Sequence, residues 1–175
     1  FETNLYQARK RIEEIYLDDE KLYFCSLSSK TIVYKGLMLP DAIQDFYLDL
    51  KSPQFKSSIC VFHQRFSTNT HPRWHLAQPF RLLAHNGEIN AIRGNRNWVK
   101  ARSTKFRTPI LPKLHEFQEL VNAEGSDSSA LDNMLQSLVQ GGMNIFRAIR
   151  MVVPPAWQNV QIQDPDIRAF HEFNS

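Results

Sequence analysis

The period of the apolar residues changes along the chain, and this change constrains the fold more than any other feature of the sequence. Near the start, apolar residues recur every three or four positions, which predicts an amphipathic helix over residues 4–16. The charged residues of this segment fall between the apolar ones and are expected to face water. The helix is therefore expected to bury the side chains of Leu5, Ala8, Ile12 and Ile15.

Further helices are predicted in the middle and second half of the chain. Gly141-Gly142 and Pro154-Pro155 are expected to end the last two, because glycine tolerates the left-handed cap and proline cannot continue a helix. A proline at the first helical position favours the start of another. These helices are predicted over residues 41–50, 89–103, 128–140 and 144–152.

Short runs rich in β-branched and aromatic residues separate the predicted helices. They predict strands over residues 21–27, 31–35, 58–65 and 80–85. Strands mixed with helices indicate an α/β or an α+β domain. The two cysteines, Cys25 and Cys60, both lie in predicted strands, and we expect both to pack in the core.

Composition and missing motifs exclude several classes of protein. Hydrophobic residues make up 42% and charged residues 22% of the 175 residues, which is typical of a soluble globular domain. No apolar run approaches the roughly 20 residues of a membrane span, so no membrane partner is expected. Without a CxxC or HExxH motif, no metal site is expected.

A basic segment, residues 93–107, carries six cations and no acid, with Trp98 and Phe106 among them. Basic residues interleaved with aromatics are one signature of nucleic-acid binding. The net charge of only +3 argues against that partner, and a solvated face or a contact to an acidic neighbouring domain is expected instead.

Three polar stretches follow predicted strand ends or precede a predicted helix, where functional residues are often found. They are residues 63–70, 84–90 and 125–129. An arginine in such a loop can bind a carboxylate through two hydrogen bonds, and an aspartate can bind an ammonium group. An asparagine side chain and a neighbouring glycine N–H can stabilise an oxyanion. Together these groups suit an amino-acid substrate with a reactive carbonyl at its far end.

The amino-acid sequences of these stretches resemble the class II glutamine amidotransferase domain of glutamate synthase large subunits. The similarity extends from the first helix to about residue 158, and it is densest over residues 57–102. The segments that carry it include His63-Gln-Arg-Phe-Ser-Thr-Asn-Thr70, Leu83-Ala-His-Asn-Gly-Glu-Ile-Asn90, Asn97-Trp98 and Ser126-Asp-Ser-Ser129.

The resemblance implies an α+β fold, the four-layer αββα sandwich of N-terminal nucleophile hydrolases, with antiparallel sheets flanked by helices. It implies that Arg65, with Thr68 beside it, holds the α-carboxylate of L-glutamine and that Asp127 binds its α-ammonium group. Asn86, through its side chain, and Gly87, through its backbone N–H, are the implied oxyanion hole. The implied reaction hydrolyses glutamine to glutamate and ammonia through a cysteinyl thioester.

In this family the nucleophile is a cysteine at the mature N-terminus, whereas this chain starts at Phe1. We therefore expect residues 1–175 to be the C-terminal part of the amidotransferase domain, without its nucleophile, and to be inactive alone. The resemblance implies a synthase domain of the same polypeptide that aminates 2-oxoglutarate with FMN and an iron–sulfur cluster. No cofactor is expected in this segment. A small electron-donating subunit or ferredoxin is an implied partner, and the implied location is the cytoplasm or a plastid stroma.

Other interpretations of the same residues remain open at this point. Asn86-Gly87 is also a strong hairpin-turn signal, Asp127 is also a suitable helix cap, and Arg65 is also suited to an ordinary ion pair. At the level of function, the alternatives are another class II amidotransferase with a different acceptor domain, and a non-catalytic glutamine-binding module.

Overall fold

The computed structural model describes residues 1–16, 22–64, 72–86, 89–117, 119–159, 161 and 164–174. The regular elements in these ranges are helices. Single 3-10 turns lie between them, for example at Trp74–Leu76 and Leu114–Glu116. The α-helices are α1 (Glu2–Ile15), α2 (Ile43–Phe46), α3 (Ile92–Arg102), α4 (Asp127–Gln140), α5 (Ile145–Val152) and α6 (Pro165–Asn174).

The local stop and start signals of α4 and α5 confirm the predictions for both helices. The Ser126 side chain accepts a hydrogen bond from the N–H of Ser129 and thereby caps α4. Gly141 follows the last residue of α4, and Gly142 has a φ of +95°, the left-handed conformation expected after a helix. Asn144 caps α5 in the same way through the N–H of Phe146 at 2.9 Å.

Two other helix predictions are confirmed only in part. α3 lies inside the predicted range, but the predicted helix over residues 41–50 consists of the one-turn helix α2 between two 3-10 turns, Pro40–Ala42 and Leu48–Lys51. α6 lies in a polar tail for which the sequence made no prediction.

The four predicted strands are not seen in the described residues, which contain no strand at 22–27, 31–35, 58–64 or 80–85. A strand exists only where a neighbour takes its backbone groups, and here local partners take them. The Val33 N–H bonds to the Ser26 hydroxyl at 3.1 Å, and the Phe80 N–H closes a turn on the Leu83 carbonyl at 2.8 Å. The described residues therefore do not confirm the sheet sandwich.

Two predictions of burial are wrong. Cys60 is exposed, whereas Cys25 is half-buried. In α1 the buried face is not the apolar one: Tyr6, Arg9 and Lys10 are buried, and Ile15 is 74% exposed. Polar partners on α4 decide this rotation, as the Tyr6 hydroxyl lies 2.9 Å from the Ser137 hydroxyl.

The main apolar cluster lies where α1 and α4 meet the irregular segment 111–120. Tyr6 and Phe117 pack edge to face, with their ring centroids 6.2 Å apart. α3 contributes Val99 at the margin of the cluster, and α4 contacts both α1 and α3. The buried members are Tyr6, Leu111, Leu114, Phe117 and Leu120.

The helices found in the described part of the chain are short or polar, and none of them has the length and apolar character needed to cross a membrane.

Candidate functional site

Two of the three polar stretches meet at the N-terminal turn of α4. Asp127 is the first residue of α4, and one of its carboxylate oxygens accepts the N–H of Ile89 at 2.6 Å. The other oxygen accepts the N–H of Ser128 at 2.6 Å and lies 3.2 Å from the Ser128 hydroxyl. Asp127 therefore joins residues 84–90 to residues 125–129, which are separated by about 40 positions in the sequence.

A second contact joins the same two stretches. The ring nitrogen Nδ1 of His85 lies 3.0 Å from the Ser128 hydroxyl oxygen. When that hydroxyl donates to Asp127, its oxygen accepts from the Nδ1–H tautomer of His85, giving a chain from imidazole through hydroxyl to carboxylate. Gln78 holds the backbone of His85 on both sides, since its amide oxygen accepts the His85 N–H and its amide nitrogen donates to the His85 carbonyl.

The structure describes two of the five residues that were predicted to bind the substrate or the oxyanion, Asn86 and Asp127. Asn86 directly follows the anchored His85, and its side chain is exposed to solvent. Asp127 is half-buried and is held by its contacts to Ile89 and Ser128. Arg65, Thr68 and Gly87 lie outside the described residues.

The alternative role of Asp127 as the helix cap is taken by its neighbour. Ser126 has the extended conformation of a cap residue and accepts the Ser129 N–H, while Asp127 already belongs to the first helical turn. A carboxylate in that turn is favoured by the helix dipole. Among the described residues Asp127 makes three contacts, whereas an ionised carboxylate offers about four lone-pair sites.

A tight turn at Gly125 precedes α4 and determines the direction in which this helix begins. Gly125 has a φ of +126°, and a Cβ atom there would lie 2.3 Å from the Asn122 amide nitrogen. Arg96 on α3 donates to the carbonyls of Gly125 and Ser126 at 3.0 and 3.2 Å. These contacts hold the start of α4 at a defined place against α3.

A buried ionic network lies next to the site, and the sequence analysis did not anticipate it. Asp132, one turn along α4, is fully buried and accepts the N–H of Leu82 at 2.7 Å, which ties residues 80–85 to α4. Arg81 is also buried and lies 3.9 Å from Asp132 and 3.4 Å from Glu13 on α1. Burial raises the pKa of Asp132.

The spacing of charged residues in the sequence did not indicate this buried ionic network. Arg9 and Glu13 are four positions apart, which the amphipathic pattern assigns to a solvated helix face. The structure buries Arg9 against α4, where Gln136 accepts from it at 2.6 Å. The one sequence signal of the network was Asp132 itself, an acidic residue within α4 at a position where an apolar residue would be expected.

Comparison with known proteins places the chain among amidotransferases. Residues 1–175 match the family described as glutamine amidotransferases class-II. The chain is 42% identical to the large chain of NADPH glutamate synthase from Bacillus subtilis, over 177 residues that cover 100% of the chain and 12% of that protein.

Relatives from plants and other bacteria agree. The chain is 41% identical to the chloroplastic ferredoxin-dependent glutamate synthase of Oryza sativa subsp. japonica, with 98% of the chain and 11% of that protein covered. It is 39% identical to the large chain of NADPH glutamate synthase of Azospirillum brasilense, with 99% and 12% covered. The chain thus spans about a tenth of the length of these curated relatives. A match over its whole length shows that the chain belongs to the class II glutamine amidotransferase family.

Proposed function

We propose that this chain forms part of the glutaminase domain of a glutamate synthase, which hydrolyses L-glutamine to L-glutamate and ammonia. The observation that carries the proposal is the match to glutamate synthases over nearly all of the 175 residues at about 40% identity. The geometry supports it, since two of the three polar stretches named for this role meet at Asp127.

In this proposal Asp127 binds the α-ammonium group of glutamine. Its carboxylate is fixed in direction by the N–H groups of Ile89 and Ser128, so little side-chain entropy is lost when the substrate binds. Arg65 binds the α-carboxylate through two parallel hydrogen bonds, with Thr68 beside it. This pairing of charges would select an α-amino acid over a simple amide.

The side-chain amide of Asn86 and the N–H of Gly87 form the proposed oxyanion hole. A cysteine thiolate attacks the amide carbon of glutamine, a C–S bond forms, and the carbonyl electrons move to oxygen. The C–N bond then breaks, and the nitrogen leaves as ammonia after taking up the proton that the thiol gave up to become the thiolate. Water hydrolyses the thioester, which releases glutamate and restores the thiol. Both donors act on the oxygen while it carries the charge.

We do not assign the nucleophile to Cys25, because burial raises the pKa of its thiol and the thiolate is the reactive form. The family resemblance points instead to a cysteine at a mature N-terminus. His85 is assigned a positioning role, since the mechanism needs no imidazole and its ring is tied to Ser128.

The family implies the N-terminal nucleophile hydrolase fold. We propose the finer arrangement of that fold, with two antiparallel sheets between layers of helices, for the complete domain. In such a domain the apolar residues at 58–62, which are exposed here, would lie in a sheet.

We also propose that the ammonia passes to a synthase domain of the same polypeptide, which reductively aminates 2-oxoglutarate. FMN and an iron–sulfur cluster would supply electrons there. The two cysteines of this chain are too few for the four thiolates of a common cluster, so no step is assigned to these groups here. NADPH through a small subunit, or ferredoxin, would be the electron source, and cytoplasm or plastid stroma the location.

Replacing Asn86 tests the proposal in the full-length natural polypeptide. Asn86→Ala should lower kcat for glutamine hydrolysis by about 10²–10³, with little change in KM, because the donor is used mainly in the transition state. Asn4→Ala, which removes an exposed asparagine on α1, is the matched control and should leave kcat unchanged. An Asn86→Ala protein with the wild-type kcat would exclude the proposed oxyanion hole.

A further inference from the structure

A cavity of about 350 Å³ lies between α1, the segment around Arg81 and the residues preceding α4, and the proposed hydrolysis does not use it. Its volume is in the range of small-molecule sites in proteins. Asn86 and Asp127 do not line it. Half of its lining residues are charged, whereas empty cavities in proteins are typically lined by apolar groups.

The buried side of the cavity carries more positive than negative charge. Arg9, Lys10 and Arg81 line it, and each is more than nine-tenths buried. All three cations share the carboxylate of Glu13, at 2.6 Å from Arg9, 3.4 Å from Arg81 and 3.9 Å from Lys10. Asp132 lies 3.9 Å from Arg81, and Glu119, which also lines the cavity, is a further carboxylate that acts on Lys10.

Two of these cations have hydrogen-bonding capacity left over. Within the described ranges, the ammonium group of Lys10 makes a single ionic contact, the 3.9 Å approach to Glu13, which is too long for a hydrogen bond. The Nε–H of Arg81 is buried without an acceptor in that same part of the chain. Burial lowers the pKa of Lys10 to about 8, so the group remains mostly protonated at neutral pH. Buried donors of this kind are costly unless a ligand or partner accepts from them.

The more exposed side of the same cavity has the opposite charge. Glu14, Glu119 and Glu124 line it together with one guanidinium, that of Arg73, and Glu14 is also paired with Arg11 at 3.0 Å. A purely anionic ligand held by Lys10 would face these carboxylates. A ligand with a carboxylate at one end and an ammonium group at the other would satisfy both sides of the cavity.

We propose that this cavity binds a small zwitterionic amino acid, with its carboxylate on Lys10 and Arg81 and its ammonium group towards the three glutamates. This site is separate from the proposed glutaminase site at the start of α4. An amino acid could therefore bind beside α1 without occupying the site of hydrolysis. The cavity site does not depend on the glutaminase proposal, since no catalytic residue contributes to it.

Calorimetric titration of the full-length natural polypeptide with γ-aminobutyrate tests the site. This probe has both charges but no α-amino carboxylate pair and no side-chain amide. Lys10→Met should weaken its binding by roughly 10–100-fold, as expected for loss of a buried charge-assisted contact. Lys10→Arg, which keeps the charge, should bind within about threefold of the wild type. The exposed Lys56→Met is the matched control and should bind like the wild type.

Three results would overturn the proposal. The first is no binding of γ-aminobutyrate to the wild type, or binding that Lys10→Met leaves unchanged. The second is equally tight binding of butyrate, which has no ammonium group and would indicate a plain carboxylate site. The third is loss of binding in Asp127→Asn rather than in Lys10→Met, which would place the probe in the glutaminase site. Failure of glutamine hydrolysis in Asn86→Ala bears on none of these results.

Discussion

At the scale of single residues, Asp127 illustrates how one carboxylate serves both structure and proposed chemistry. It receives the N–H of Ile89 from one polar stretch and the N–H of Ser128 from its own helix. Sequence patterns offered capping or substrate binding as alternatives. The structure assigns the cap to Ser126 and leaves the Asp127 carboxylate oriented and half-buried, which is what an ammonium-binding group requires.

Replacing Asp127 by Asn separates these two roles in the full-length polypeptide. The amide keeps one oxygen acceptor but loses the charge, so the KM for glutamine should rise by roughly 10–100-fold, the loss of one charge-assisted contact. The exposed Asp166→Asn on α6 is the control in the same kinetic assay. A variant that is less stable but has an unchanged KM would show that Asp127 only joins the two stretches.

A second prediction at the residue scale concerns Lys10 and the dependence of the free energy of unfolding on pH. Its pKa is about 8 in the folded chain, chiefly through burial, against the ordinary 10.5. Between these values the unfolded chain binds more protons, so stability rises with pH, and below pH 8 the buried charge is destabilising. Lys10→Met should therefore raise the free energy of unfolding at pH 7 by up to about 3 kcal/mol. The gain should shrink as the pH rises from 8 to 10.5.

Urea denaturation of the chain at several pH values measures this difference, with the exposed Lys56→Met as the control. Lys35, whose pKa burial also lowers to about 8, contributes its own slope to wild type and variants alike. A Lys10→Met gain that stays constant from pH 7 to 10.5 would mean that the Lys10 ammonium group is not desolvated in the folded protein.

At the scale of elements, the helices could be predicted to within a few residues where local chemistry decides them. α4 ends at Gln140 before Gly141-Gly142, a stop signal that is readable without any tertiary contact, whereas its cap is Ser126 rather than Asp127, the cap that the sequence suggested. The buried face of α1 could not be predicted in this way. Long polar side chains such as Arg9 become buried when another helix supplies acceptors, and Gln136 on α4 does so at 2.6 Å.

The cap of α4 gives the prediction that belongs to this scale. Ser126→Ala removes the acceptor for the Ser129 N–H at 3.1 Å and should lower the free energy of unfolding by about 1 kcal/mol, measured by urea denaturation. Ser126→Asp keeps an acceptor and should stay within a few tenths of a kcal/mol of the wild type. Equal losses in both variants would indicate that packing of the turn, rather than capping, fixes this helix end.

At the scale of the whole molecule, the apolar cluster is small for a chain of 175 residues. Among the residues that the structure describes, five buried side chains form it, and large apolar side chains such as Ile59 and Phe62 are 79% and 74% exposed. A substantial part of the contact between α1 and α4 is instead polar, through Arg9, Tyr6 and their partners. Loss of any one cluster member should therefore have a large effect on stability.

Leu111 is the most buried member of the cluster, at 1% exposed. Leu111→Ala should lower the free energy of unfolding by roughly 2–5 kcal/mol, because the apolar contact is lost and a cavity remains. Leu39→Ala deletes the same atoms at a position that is 77% exposed. This control should change the free energy of unfolding by less than about 0.5 kcal/mol. Urea denaturation compares the two, and similar effects in both would show that the cluster is not a packed core.

By itself the sequence determined the helix positions near α4 and α5, and its wording pointed to the amidotransferase family that the comparisons then showed. Both depend on short stretches of neighbouring residues, where caps, glycine stops and motif words act locally. Tertiary structure alone decided that α1 buries Arg9 and Lys10, that Asp127 meets Ile89, and that a charged cavity lies beside them. Such contacts join residues far apart in the chain, and no local period records which partner a buried charge will find.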